Sequence, residues 1–298
     1  MRLATTTAAD NIISQIQQLS QQQSKLQTQV STGQRISVVE DDPAAAGRVL
    51  VLNSEQRALN QFNSNASNAL EISQATFGSL QAIKTISDRA TELGTLGAGT
   101  QSTQQTQAYA SELDQLLEQA VQQANSRLGN DALFAGTAVN VTPYTVTRNA
   151  QNQITGVAYA GNTNQASIPL SSTASIAPGA DSTTTQGILD FLNHIVALRD
   201  ALQTGNSAGV TTAQTGLITT EDTFVSSLSQ QGAVQTRINV NQTQQASRAQ
   251  DLQQLVSGEV DADMPSTIVA LNQAQTAYQA ALQSSAKIMK ISLLDYIT

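Results

Sequence analysis

The chain has 298 residues and a formal net charge of −8, with only 3% aromatic and 12% charged residues. Cysteine is absent, which excludes disulfides, thiol catalysis and zinc–thiolate sites. No cluster of basic residues is present, which argues against nucleic acid or an anionic membrane surface as a partner. With so few large apolar residues, slender helices packed through Ala, Leu and Ile suit this composition better than a thick globular core.

The first residues contain no apolar run long enough for a cleavable signal peptide. No segment approaches the roughly 18 consecutive apolar residues that a membrane-spanning helix needs. We therefore expect no membrane span. If the protein leaves the cell, we expect an export route that leaves the N-terminus uncleaved.

The N-terminal region carries a heptad pattern. Apolar residues or glutamine recur in alternating steps of four and three, at Ile12, Ile16, Leu19, Gln23, Leu26 and Val30. This spacing is typical of the seam of a left-handed coiled coil, which requires a partner helix. The pattern stops near Gly33, and Asp42-Pro43 predicts the start of a second helix, because Asp caps free N–H groups and Pro fits the first helical position.

Helical periodicity returns along most of the remaining chain. Further helices are predicted over 43–93, over 102–128, in a segment that ends at Gly205, and over 208–256. The glycines of residues 94–99 are expected to break the second helix, since glycine disfavours helix by about 1 kcal/mol per residue. The middle of the 208–256 helix is polar, so we expect it to lie exposed or to face another polar helix.

Between residues 133 and 181 the period changes to that of a β structure. Short β-branched runs separated by Asn, Gly and Pro predict strands at 144–147, 154–159 and 166–170. This region is therefore expected to be a small β insertion within an otherwise helical chain.

The last helix follows an interruption at residues 258–261, and Pro265 suits its first turn. It carries two apolar stripes. One consists of Ile268, Leu271, Gln275, Tyr278, Leu282, Ser285 and Met289, and the other of Ala270, Ala274, Ala277, Ala281, Ser284, Ile288 and Ile291. A helix that is apolar on two faces must be covered on both. We expect the N-terminal helix to cover one face and a second molecule to cover the other.

No constellation of residues for catalysis, cofactor binding or metal binding emerges from the sequence. His194 is the sole histidine, which excludes a multi-histidine metal site, and its position favours a surface histidine. Asp41 and Asp42 could form a carboxylate pair, but helix capping explains both, and the same interpretation applies to Asp261 and Asp263. We therefore expect no enzymatic activity and no cofactor.

Several motifs resemble those of the flagellin superfamily. STGQRI at 31–36 followed by EDDPAAA at 40–46 is similar to the SSGKRI…SDDPAA signature of that group. LFAGT at 133–137 resembles the LFxGT exit of hook–filament junction proteins into their β domain, and GAVQTR at 232–237 resembles the family's GARxxR helix. SLLDYI at 292–297 is more similar to the junction proteins' SLFDYI than to the LSLLR of filament flagellins. Within the superfamily, the chain most resembles hook-associated protein 3.

This resemblance implies a mainly α fold: an elongated helical bundle with terminal coiled-coil segments and a small inserted β domain, α+β overall. Residues 1–42 and 258–298 would be the inner assembly segments, paired as a coiled coil inside a tubular assembly. Residues 43–135 and 184–257 would form the helical rod, and residues 136–183 the β domain.

The resemblance also implies a secreted structural component of the bacterial flagellum, exported by the flagellar type III apparatus, which joins hook to filament. The implied partners are other copies of the chain, the neighbouring hook-associated protein, flagellin, and a cytoplasmic chaperone that masks the C-terminal helix. Neither nucleic acid nor membrane is expected as a partner.

Three alternatives remain open. A filament-forming flagellin shares the same physics, and a tail or adhesin subunit exported by another machine is a more distant possibility. An enzyme built on the β insertion is the third, although residues 138–181 contain one acid, Asp181, and one base, Arg148.

The residues expected to carry assembly are the large side chains of the two terminal seams. They are Ile12, Ile16, Leu19, Leu26 and Val30 in the N-terminal helix, and Leu271, Tyr278, Leu282, Ile288 and Ile291 in the last helix. Burying one such Leu or Ile stabilises an assembly by about 1.5–3 kcal/mol.

Overall fold

The computed structural model describes the backbone of residues 2–99 and 102–297 and the side chains of residues 10–99 and 102–287. The helices are α1 (Arg2–Thr32), α2 (Pro43–Gly97), α3 (Thr103–Ala124), α4 (Ser182–Thr204), α5 (Ser207–Val260) and α6 (Met264–Ile297). The strands are β1 (Arg127–Leu128), β2 (Asp131–Ala132), β3 (Tyr144–Arg148), β4 (Ile154–Tyr159), β5 (Ile168–Pro169) and β6 (Ser175–Ile176). The predicted mainly helical fold with a small β region is confirmed.

The chain divides into two compact units. The terminal unit contains residues 1–58 and 247–298, and the central unit contains residues 59–246. Both limits fall inside helices, α2 and α5. The division of the sequence into five segments stays a prediction.

The core of the central unit collects most of the large apolar side chains. Four helices and the β3–β4 hairpin contribute to it, through Leu80, Ile83, Leu93, Leu113, Leu117, Tyr144, Ile154, Phe191, Ile195, Leu217 and Phe224. The rings of Phe191 in α4 and Phe224 in α5 meet edge to face, with centroids 5.3 Å apart and an interplanar angle of 84°. This geometry is one that aromatic pairs prefer.

The glycine-rich segment after Leu93 does not end α2 where the sequence predicted. The helix continues to Gly97, because Gly94 and Gly97 face Leu198 and Leu202 of α4. A side chain at Gly97 would overlap Leu202. The glycines therefore allow close approach of α4, and this packing outweighs their low helix propensity.

Helix α3 ends at Ala124, four residues before the predicted end. The side chain of Asn125 accepts a hydrogen bond from Tyr144 N and donates one to Tyr144 O, both at 2.9 Å. The amide thus binds the backbone of β3 as a neighbouring strand would. This contact fixes the β3–β4 hairpin at the end of α3.

The strands follow the prediction in part. β3 and β4 pair antiparallel at the predicted places, with Tyr144 opposite Tyr159. The third predicted strand shrinks to Ile168–Pro169, and it pairs with Ser175–Ile176, which the sequence did not indicate. Gly205 ends α4 in the left-handed conformation, with φ 67°, which confirms the predicted helix end.

Two polar residues of the central unit are less exposed than the sequence predicted. Gln245 in the polar middle of α5 is buried, and its Nε2 donates to the Leu170 carbonyl at 2.6 Å. The loop carbonyl supplies a partner that periodicity cannot reveal. His194 is half-buried, and its ring lies against Gly216 of α5, where the lack of a side chain makes room.

Arg199 of α4 connects three elements of the central unit while its side chain is only 2% exposed. Its guanidinium donates to Asp114 Oδ1 of α3 at 2.8 Å and to the Ile154 carbonyl of β4 at 2.7 Å. It also donates to Asp200 Oδ1, from Nη2 at 2.6 Å. This arginine therefore joins the hairpin to the helical core through charge-assisted hydrogen bonds.

We expect Arg199→Ala to lower the free energy of unfolding of the central unit by about 3 kcal/mol, because it leaves Asp114 and the Ile154 carbonyl without their buried partner. A matched control is Arg89→Ala, which removes an arginine that also pairs with two carboxylates but is 42% exposed. It should cost less than about 1 kcal/mol. Urea denaturation followed by circular dichroism measures both, and equal losses would contradict the assigned role of Arg199.

Candidate assembly site

The terminal unit is built on α1, which packs along α6. The end of α1 meets the start of α6, so the two helices run antiparallel. The six seam positions predicted for α1 are half-buried, whereas most residues between them are exposed. Ile12, Ile16, Leu19, Leu26 and Val30 therefore lie on the face of α1 that α6 covers. Whether they also contact a second molecule stays a prediction.

The face of α6 turned to α1 differs from both predicted stripes. Leu271 and Tyr278 are half-buried, as in the first stripe, and Ala274 of the second stripe is buried between them. Thr267 and Ser285 complete this buried face. Because the two stripes adjoin on the helix surface, α1 covers the border between them. The two stripes are therefore not two separately covered faces, and contact of the remaining surface with another molecule stays a prediction.

Part of the apolar surface of this helix pair stays open. Leu282, predicted as a seam residue, is 43% exposed, and Ile268 is 45% exposed. Ile13 of α1 is 44% exposed. The side chains of Ile288 and Ile291 lie outside the described residues. Each of these three residues directly follows a residue of the covered face, so the heptad geometry of an antiparallel pair places them along the same edge. We call Ile13, Ile268 and Leu282 the apolar flank.

A compact joint connects the end of α1 to the end of α5 and the start of α6. It comprises the loops 33–42 and 261–263 with Arg48 and Glu259 beside them. Gly33, with φ +72°, ends α1 in a conformation that favours glycine. Its carbonyl accepts from Ala262 N at 2.8 Å, and Arg35 N donates to Val260 O at 2.6 Å. These backbone bonds hold the two loops as a short antiparallel bridge.

Charged side chains reinforce the joint. Arg48 binds Glu259 through two parallel hydrogen bonds of 2.8 Å each. Arg35 donates to the Glu259 carbonyl at 2.7 Å and to Asp42 Oδ2 at 3.2 Å. The hydrogen bond and charge of Arg48 lower the pKa of Glu259 below its usual range. Glu259 therefore favours its charged form while it is paired with Arg48.

The two aspartates have different roles. Asp42 Oδ1 accepts from Ala45 N at 3.0 Å, which confirms the predicted cap of α2, and this bond with that from Arg35 lowers the pKa of Asp42. Asp41 caps no helix, so that interpretation was wrong. It accepts from Ser37 N at 3.0 Å and pairs with Lys25 at 2.8 Å. Lys25 first, then the loop N–H groups, hold the pKa of Asp41 well below its usual range.

Asp261 also serves the joint rather than the start of α6. Its carboxylate accepts from the Ser257 hydroxyl in the last turn of α5. It therefore closes the end of one helix, not the beginning of the next.

A groove of about 370 Å³ lies beside the joint. Uncharged residues line it, among them Ile36, Val38, Val39, Val49, Leu50 and Val256. Val38 and Val39 project from the loop that Asp41 holds, and they are 53% and 62% exposed. The joint thus displays apolar side chains on a loop with fixed geometry.

The arrangement offers contact surfaces rather than reactive groups. Across the residues that the structure describes, no group of three or more His, Asp or Glu side chains could hold a metal ion. No helix in the same part of the chain has an apolar stretch long enough to cross a membrane.

Sequence reasoning found the α1 seam but missed the joint. Arg48 and Glu259 are 211 residues apart, and neither lies in a pattern that links them. One signal in the sequence could have indicated the joint. Only 12% of the residues are charged, so charged residues close to predicted helix ends are candidates for ion pairs with one another. Pairing them needs the antiparallel arrangement of α1 and α6, which only the fold supplies.

We expect Glu259→Gln to lower the melting temperature of the terminal unit at pH 7 and to have a smaller effect at pH 3. The pKa of Glu259 is lowered on folding, so its contribution is present above the unfolded pKa and is lost as the pH falls through the folded value. Circular dichroism melts of both proteins at each pH measure the difference. The same difference at both pH values would show that the carboxylate charge does not hold the joint.

Comparison with known proteins finds a match to part of the sequence and matches to the fold. Residues 3–138 match the model of the bacterial flagellin N-terminal helical region. No curated protein matches the chain in sequence.

Solved structures match at the level of the fold. A Vibrio parahaemolyticus protein assigned to the flagellar hook-associated proteins superimposes with a TM-score of 0.66 at 15% identity, over 74% of this chain and all of that one. FlgL of Bacillus cereus gives 0.60 at 16% identity, over 70% of this chain and 99% of that one. FlgL of Xanthomonas campestris gives 0.55 at 14% identity, over 69% of this chain and 99% of that one. Residues 3–138 are therefore similar to the flagellin N-terminal region, and the chain shares the fold of these solved structures.

Proposed function

We propose that the chain is a structural subunit of the bacterial flagellum that joins hook to filament, and that it assembles through the α1–α6 pair. The observation that carries this proposal is the apolar flank: Ile13, Ile268 and Leu282 remain more than two-fifths exposed after α1 and α6 have packed. The chain shares its fold with proteins called flagellar hook-associated protein and FlgL, which supports the flagellum as the place of assembly.

The surface of the helix pair favours contact with a copy of itself. Residues 11–34 contain one charged side chain, Lys25, and residues 264–286 contain none. A second molecule can therefore cover this surface without removing charges from water, which is the costly part of burying a polar surface. Burial of each apolar side chain then contributes about 1.5–3 kcal/mol.

The proposed role is mechanical and requires no catalysis. In this role the protein is secreted through the flagellar type III apparatus, and a cytoplasmic chaperone masks α6 until export. Copies of the chain contact one another, the neighbouring hook-associated protein on one side and flagellin on the other.

A filament-forming flagellin is the second candidate, and the match of residues 3–138 to the flagellin N-terminal region favours it equally. The two differ in self-assembly. Purified junction protein should attach to hooks and stop, whereas a flagellin should grow into long filaments without other components.

We expect Leu19→Asp to abolish attachment to isolated hooks, because it places a charge in the half-buried seam between α1 and α6. The matched control is Gln18→Asp, which adds the same charge at an exposed position of the same helix. Electron microscopy of hooks incubated with each purified variant measures the fraction of hook ends that carry added protein.

The helical signal in circular dichroism is measured for each variant, to check that the central unit remains folded. Attachment of Leu19→Asp at the level of the control would overturn the assigned role of the seam. The same conclusion would follow if a chain without residues 1–30 formed a normal junction.

A further inference from the structure

The seam between α1 and α6 does not specify its own register. The heptad positions of the two helices imply layers in which each seam residue of α1 meets one residue of the covered face of α6. These layers are Ile12–Ser285, Ile16–Ala281, Leu19–Tyr278, Gln23–Ala274, Leu26–Leu271 and Val30–Thr267. A slip of one heptad gives four layers of the same residue types: Ile12–Tyr278, Ile16–Ala274, Leu19–Leu271 and Gln23–Thr267.

Charge cannot choose between these registers either. Coiled coils commonly fix partner alignment through ion pairs at the positions beside the seam. In residues 11–34 the one charged side chain is Lys25, and it pairs with Asp41 of the joint rather than with α6. Residues 264–286 contain no charged side chain. Over residues 11–34 and 264–286, the helix pair thus lacks the usual means of rejecting a shifted alignment.

The joint supplies a fixed reference point at one end of the pair. The Gly33–Ala262 and Arg35–Val260 backbone bonds, at 2.8 and 2.6 Å, connect the loop that follows α1 to the end of α5 and the loop before α6. The Arg35 side chain reaches the Glu259 carbonyl at 2.7 Å, and Arg48 holds the Glu259 carboxylate. Hydrogen bonds of this geometry are directional, so they tolerate no slip of either helix.

We propose that the joint is a register clamp, which aligns α1 on α6 where the helices themselves would accept more than one alignment. The clamp decides which surface the pair presents. In the clamped register Ile13 lies beside Leu282, and both belong to the apolar flank. A shift of one heptad moves them apart by roughly 10 Å along the helix axis and divides that flank.

Disulfide trapping in the monomer tests this proposal, because the chain contains no cysteine. The variant Gln23→Cys with Ala274→Cys reports the clamped register, and Gln23→Cys with Thr267→Cys reports the slipped one. One heptad is roughly 10 Å, and a disulfide needs Cα atoms within about 7 Å, so each pair reports one register. All three positions carry small or neutral side chains on the covered faces.

The joint is weakened in two independent ways. One background carries Arg35→Ala with Arg48→Ala. The other carries Ala262→Pro, which removes the N–H that donates a hydrogen bond to Gly33 O. Arg57→Ala is the control, since it removes an exposed charge of α2 outside the joint. Initial rates of intramolecular disulfide formation are measured by mass spectrometry of the monomer.

With the joint intact, and with Arg57→Ala, we expect the clamped disulfide alone. With either weakened joint, the slipped disulfide should change from background to a major product while the clamped one falls. A slipped product at background in both weakened joints would overturn the proposal. Loss of both disulfides would overturn it too, since the joint would then hold the helices together rather than align them. These measurements concern the monomer and are independent of attachment to hooks.

Discussion

Two backbone hydrogen bonds, from Ala262 N to Gly33 O and from Arg35 N to Val260 O, are the constraint on which the terminal unit depends. They fix the point where α1 ends and α6 begins, although the residues they join are more than two hundred positions apart. The surrounding ion pairs are exposed, so each adds little stability alone. Their value is positional, because a guanidinium that binds a carboxylate through two parallel bonds defines direction as well as distance.

The two units use the same sparse supply of large residues differently. The central unit concentrates its Leu, Ile and Phe side chains in one core and satisfies buried polar groups locally, as Ser73 does with Gln231 at 2.8 Å. The terminal helices instead leave their seam half-buried and their flank open. Since apolar burial is the main source of stability, the terminal pair retains surface from which a second molecule can still gain.

Charge follows the same division within the terminal unit. Residues 11–34 and 264–286 of the helix pair carry one charge, that of Lys25, which suits burial in an assembly. Lys25 pairs with Asp41 of the joint, where Arg35, Arg48, Asp42 and Glu259 also lie. There they can bind one another and remain in contact with water. In the roles proposed above, alignment depends on polar groups at the joint and adhesion depends on apolar groups along the helices.

The sequence by itself determined the features that depend on neighbours close in the chain. The heptad spacing predicted the covered face of α1, Asp42 and Pro43 predicted the start of α2, and Gly205 predicted the end of α4. The tertiary structure decided what depends on distant partners. It decided which edge of α6 meets α1 and that Asp41 pairs with Lys25 in a loop. It also decided that Gln245 is buried beside Leu170, and that Gly94 and Gly97 allow α4 to approach instead of ending α2. Periodicity and capping are local properties of the backbone, whereas burial and pairing of a polar group require the position of a second segment.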